Sequence, residues 1–176
     1  MTSGFVGTIA LAVVLEGLPG LSADEKSCRL LDPDAGRRFI PDRVALMMEN
    51  VPIDHKHSSA VQFPDKSRVA VGALVTGGMR EVVRKKYNYI LVTETRLRIG
   101  TGNLSAGMAG LAFDPESKPN AATRAFIIRD FSGTEIERIT LRLDPSGQAA
   151  TVLFVPKGPR EFELRIGRYV VRGSQR

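Results

Sequence analysis

His55-Lys56-His57 is the only place in the chain where imidazoles cluster. On an extended strand, residues two apart share a face, so both rings could ligate one metal ion, with Asp54 adding a carboxylate. A metal site needs three or four ligands, and the sequence offers no third histidine and no cysteine in the same region. The segment reads as a solvated loop. A metal-dependent hydrolase built on His55, His57 and Asp54 is therefore an alternative, and no metal or cofactor is expected. No catalytic residue can be named either. A Ser-His-Asp arrangement has no histidine to spare, and the carboxylates nowhere pair as acid and base.

Gly100-Thr101-Gly102-Asn103-Leu104-Ser105-Ala106-Gly107 follows an apolar run, as a phosphate-cradling loop would. It lacks the Gly-Lys-Ser/Thr ending of one such loop and the following helix of the other. It reads as a glycine-rich strand connection. The densest cationic stretch runs from Arg80 to Arg98. If it forms neighbouring strands, Arg84 and Lys86 share one face, as do Arg96 and Arg98, and the four cations lie on one wet surface as candidate contacts for an anion. Tyr87 and Tyr89 within the stretch would supply stacking faces for a nucleic-acid-binding barrel. That is a second alternative, and nucleic acid is not the expected partner.

The elements that would position these residues are mostly strands. After Lys66 the chain consists of short apolar runs separated by Gly, Pro, Asn and Asp. Thr95 to Ile99 and Ile139 to Leu143 alternate polar and apolar residues, as half-buried strands do. Asp130-Phe131-Ser132-Gly133-Thr134 and Asp144-Pro145-Ser146-Gly147 carry turn chemistry. Glu161 to Val171 changes parity after Gly167, which reads as one strand with a bulge at Gly167-Arg168. The prediction is a mainly β fold over residues 67–176: an antiparallel β-sandwich, or alternatively a β-barrel. Residues 23–66 are rich in proline and read as an irregular lead-in with one short helix. That helix is placed at Asp42 to Asn50, with Val44, Met47 and Met48 on its buried face.

Phe5 to Leu15 is an apolar run of eleven residues. Crossing a bilayer takes about 20 residues, but a signal-peptide core takes only about 7–15. Gly20-Leu21-Ser22 then places small residues before a cut, so residues 1–22 are expected to be a cleaved signal peptide. The mature chain would carry no transmembrane helix and lie in the periplasm or outside the cell. Cys28 is the lone cysteine, which excludes an internal disulfide. It reads as a tolerated residue near a mobile terminus, with pairing to another chain left open. Lysine and arginine total 25 against 19 acids, a net charge of +6 that favours anionic partners.

Three stretches carry a resemblance: Leu97 through Gly100, Leu104 and Gly107 to Phe113; Phe126 to Gly133; and Phe162 to Val171. Across residues 89–171 the chain resembles uncharacterised exported β-rich proteins of soil bacteria. In those, a strand ending in Ile/Val-Gly leads to a Leu-x-x-Gly turn, and a Gly-Arg strand closes the domain. Met108-Ala109 departs from the pattern, where an aromatic residue is usual. The resemblance implies export and a β-rich domain, and assigns no activity. The function expected from all this is an exported, non-enzymatic binding or structural module of the cell envelope. Its partner would be an anionic envelope component or another protein.

Overall fold

Alternation along the strands decides which side chains meet. In the computed structural model, which describes residues 26–147 and 152–176, the chain forms thirteen strands and two short helices. In order these are β1 (Arg29–Leu30), α1 (Pro33–Phe39), β2 (Arg43–Leu46), β3 (Glu49–Gln62), β4 (Arg68–Leu74), α2 (Glu81–Arg84) and β5 (Tyr89–Thr93). Then follow β6 (Leu97–Ile99), β7 (Gly102–Leu104), β8 (Gly107–Phe113), β9 (Thr123–Arg129), β10 (Glu135–Leu143), β11 (Val152–Pro156), β12 (Glu161–Ile166) and β13 (Tyr169–Gln175). The main path is β1-β3-β4-β5-β8-β9-β10-β13-β12-β11. The sheet is antiparallel and curls into a nearly closed barrel, the second of the two architectures expected. At the seam, β11 approaches β3, where the Phe154 amide donates to the Ser59 hydroxyl at 3.0 Å.

Inward-pointing residues fill the barrel. Val69, Val71, Leu91, Leu111, Phe126, Ile128, Ile139, Leu141, Phe162, Leu164 and Val171 belong to one buried cluster. A second cluster lies on the outer face of β3, β4 and β5, where Ala60, Ala70, Ile90 and Val92 are covered by Ile40, Val44, Leu46 and Val83. Because both faces of β4 and β5 are buried, these strands read as continuous apolar runs rather than alternating ones. Tyr87 belongs to this second cluster, and its hydroxyl donates to the Asp130 carbonyl at 2.5 Å.

Several local expectations are corrected. Asp42 to Asn50 is a hairpin, not a helix: Leu46 pairs with Glu49, and Met47 and Met48 form the two-residue turn with φ of 48° and 66°. Val44 and Leu46 are buried while Arg43 and Ala45 are exposed, the period of a strand. The helix of this region lies earlier, at α1, where the Asp32 carboxylate accepts from the Ala35 amide at 2.8 Å. Of residues 23–66, expected to be irregular, the described part, 26–66, contributes the 14-residue β3 as a wall strand. Within the Arg80–Arg98 stretch, taken from its sequence as neighbouring strands, α2 comes first and β5 follows. Gly167-Arg168 is a tight turn, since Ile166 pairs directly with Tyr169. Gly167 there has φ of 58°. A reversal changes strand parity just as a bulge does. Cys28 is buried in the barrel cluster rather than loose at a terminus. The signal-peptide expectation, residues 1–22, lies outside the described residues.

One irregularity shapes the wall. β10 pairs with β13 only through Arg142↔Val170 and Leu143↔Tyr169. Beyond that point β6 takes over the same edge of β13, from Gly173↔Ile99 to Gln175↔Leu97. The β6–β7 hairpin is thus wedged between the diverging strands. Gly102 makes the wedge possible, because a Cβ there would lie 2.5 Å from Glu137 and 2.8 Å from Ile139. Gly173 admits the Phe162 ring in the same way, with a Cβ position 2.3 Å from its edge.

Candidate anion-binding cleft

The histidines are in β3, at a register break between Asp54 and Ser58, rather than in a loop. Each takes its own carboxylate. His55 Nε2 lies 2.9 Å from Asp42 Oδ1, and His57 Nδ1 lies 2.7 Å from Asp54 Oδ2. The His57 contact holds the Asp54 carboxyl below its usual range. His55 is largely buried, with Nδ1 unpartnered, whereas His57 is exposed. Among the described residues no three metal-ligating groups converge. The bulge therefore separates the rings into two acid–imidazole pairs.

The four cations picked out by sequence do not share a surface. Arg84 ends α2 and Lys86 follows it, while Arg98 is on β6 and Arg96 just precedes that strand. Between β5 and β13, the strand to which β6 is fixed, stand β8, β9 and β10. The expected strand face fails because Glu81 and Lys85 close a helical turn, with a 2.6 Å ion pair and Val83 buried beneath. Nor are the tyrosines available for stacking on bases: Tyr87 is fully buried, and Tyr89 packs at the edge of the barrel core.

The split in the wall gathers a different set. Val170, Arg172 and Ser174 alternate on the outer face of β13. Arg142 stands opposite Val170 and Arg98 opposite Ser174. At about 3.4 Å per residue, Arg172 lies midway, about 6.8 Å along the strand from the level of each. A cleft of about 370 Å³ is lined by Arg98, Lys157, Glu161, Phe162, Arg172 and Ser174. An adjoining one of about 360 Å³ is lined by Thr140, Arg142, Glu163, Val170 and Arg172. Arg172 belongs to both.

Charge balance in the two clefts favours anions. Four cations face two carboxylates, and Glu163 is already held by Arg165 at 2.7 Å. Lys157 reaches Glu163 only at 4.0 Å. Arg98, Arg142 and Arg172 are exposed and form no ion pair among the described residues; Arg98 donates from Nε to the Gly100 carbonyl at 3.3 Å. Guanidinium forks with free donors bind carboxylate or phosphate oxygens in a bidentate way. Sequence reasoning found Arg98 and missed Arg142, Lys157 and Arg172. Recognising the turn at Gly167 would have placed Arg172 beside Glu163, but its neighbours across β13 are long-range pairings. No family model, curated protein or solved structure matches the chain.

Proposed function

We propose that the chain is an exported, non-enzymatic binding module of the cell envelope, and that it holds a linear polyanion along the split wall. The observation that carries this reading is the row Arg142, Arg172 and Arg98, without an ion pair among the described residues and spaced at successive levels of β13. Charges repeated along an extended polymer meet such a row one after another, whereas a compact ligand would use a single pocket. Export is supported by the apolar Phe5–Leu15 run and the small residues before Ala23.

Binding of this kind is electrostatic and exposed, so salt must weaken it, with a Debye length of about 8 Å at physiological ionic strength. The test is titration with poly(glycerol phosphate) at 20 and 300 mM salt, for wild type and for Arg98→Glu with Arg172→Glu. Wild type should bind, lose at least tenfold in affinity at the higher salt, and lose binding in the double variant. Binding that survives the charge reversal would overturn the assignment of the cleft. Tighter binding of an oligonucleotide than of the polymer would favour the nucleic-acid alternative. Expressed with its own N-terminus, the protein should leave the cytoplasm and begin near Ala23. A cytoplasmic product retaining Met1 would refute export.

A further inference from the structure

The two ends of the barrel are filled differently. Aromatic rings pack much of the interior: Phe63, Phe154 and Phe162 form one chain of contacts, and Tyr89, Phe126, Phe113 and Tyr169 another. At the mouth beside the β6–β7 hairpin no ring of the described residues lines the opening. A cavity of about 200 Å³ there is walled by Leu91, Thr93, Leu104, Ala109 and the small residues Ser105, Ala106 and Gly107. Leu91, Leu104 and Ala109 belong to the barrel core, so the cavity opens directly onto it. Its polar groups are few and mostly engaged. The Thr93 hydroxyl donates to the Thr95 carbonyl, and the Asn103 amide donates to Glu137.

Two large apolar side chains stand on its rim, Met108 at 47% and Ile136 at 52% exposure. The other exposed apolar residues, Leu30, Met48, Val75, Val82 and Leu153, do not line this cavity. Across strand β7, a second cleft of about 300 Å³ shares Asn103, Leu104 and Ser105 with the mouth and is bordered by Arg96 and Arg176. These two arginines are neighbours, because the Arg176 amide donates to the Arg96 carbonyl at 3.0 Å. Both are exposed, and neither forms an ion pair among the described residues. Among the described residues no carboxylate side chain lines either cleft, and Glu137 beside them is tied to the Asn103 and Arg138 amides.

From this juxtaposition we infer that the barrel mouth binds a free single-chain anionic amphiphile. Its alkyl end would enter between Leu104, Met108 and Ile136, and its carboxylate would cross β7 to Arg96 and Arg176. Drug-sized ligands occupy about 300–1,000 Å³, so the mouth suits the end of an alkyl chain and excludes a fused ring system. The site is separate from the arginine row on β13, and either assignment stands or falls without the other.

The experiment titrates decanoate, and 1-decanol as its uncharged counterpart, by calorimetry into the full chain. Wild type should take one decanoate per chain. Ala106→Trp fills an exposed position of the mouth and should weaken both ligands at least tenfold. Ile136→Glu, also at an exposed position, should do the same and guards against a folding defect in the first variant. Arg96→Glu with Arg176→Glu should weaken decanoate at least tenfold while changing decanol less than twofold. Absence of saturable binding, or wild-type affinity in both mouth variants, would overturn the inference. So would equal loss of both ligands on charge reversal, or loss of decanoate in Arg98→Glu with Arg172→Glu. Binding to phosphatidylglycerol vesicles without binding to decanoate would replace the free amphiphile with a membrane surface, and would also overturn it.

Discussion

A single thiol shows how far position outweighs residue type. Cys28 is 4% exposed and packs in the barrel cluster, and burial alone pushes its thiol up to about 11. At pH 8 only about one part in a thousand is then thiolate, the form that reacts. Native protein should resist iodoacetamide at pH 8 over hours and label completely in guanidinium chloride. Rapid labelling of the native state would place Cys28 outside the core and restore the possibility of pairing with another chain. Nothing in the local sequence announces the burial. Lys26, Ser27 and Arg29 around it are polar, and the two residues of β1 are exposed. The contacts that bury Cys28 come from distant strands.

Hairpins dominate at the scale of elements, and their turns differ in how well sequence reveals them. Met47 and Met48 both hold a positive φ, in a place where Asn-Gly is the usual solution. A non-glycine residue in that region costs about 1–2 kcal/mol. Met48 is fully exposed and gives back no packing of its own. Met47-Met48→Asn-Gly should therefore raise stability, by about 1–2 kcal/mol less the Met47 contacts with the second cluster, measured by urea unfolding. Unchanged or reduced stability would mean that Met47 packing outweighs the strain. The same turn explains a failure of sequence reading. Val44, Met47 and Met48 satisfy a helical spacing, while Val44 and Leu46 satisfy a strand spacing, and only pairing with β3 decides between them. β3 itself was hidden by Pro52 and the polar run His55 to Ser59. The hairpins at Asp130 to Thr134 and Asp144 to Gly147 were legible because aspartate, serine and glycine act within a few residues. The arginine cleft was mostly illegible, since its members come from β6, β10, β13 and the chain after β11.

Across the whole molecule one device recurs at the strand connections. Asp65, Asp130 and Asp144 each stand two residues before a serine, and each accepts from both the amide and the hydroxyl of that serine, Ser67, Ser132 and Ser146. These bonds, the hydroxyl contact foremost, hold all three carboxyls below their usual range. Asp114 is lowered too, first by the Glu116 amide and then by Arg138, and Glu94 by its paired hydrogen bonds with Arg68. A carboxyl whose folded pKa is depressed binds fewer protons folded than unfolded. Its contribution is therefore complete above the unfolded value of about 4 and drains away as pH falls through the folded one. Because these five carboxyls stand in five strand connections of one barrel, acid loosens them together. The melting temperature should stay level from pH 7 to 5 and fall steadily below about pH 4. Asp65→Asn, Asp130→Asn and Asp144→Asn combined should lower it at pH 7 and flatten the fall below pH 4. An acid slope equal to that of wild type would show that these turns carry none of the pH dependence, leaving the Arg68–Glu94 and Arg138–Asp114 pairs to account for it.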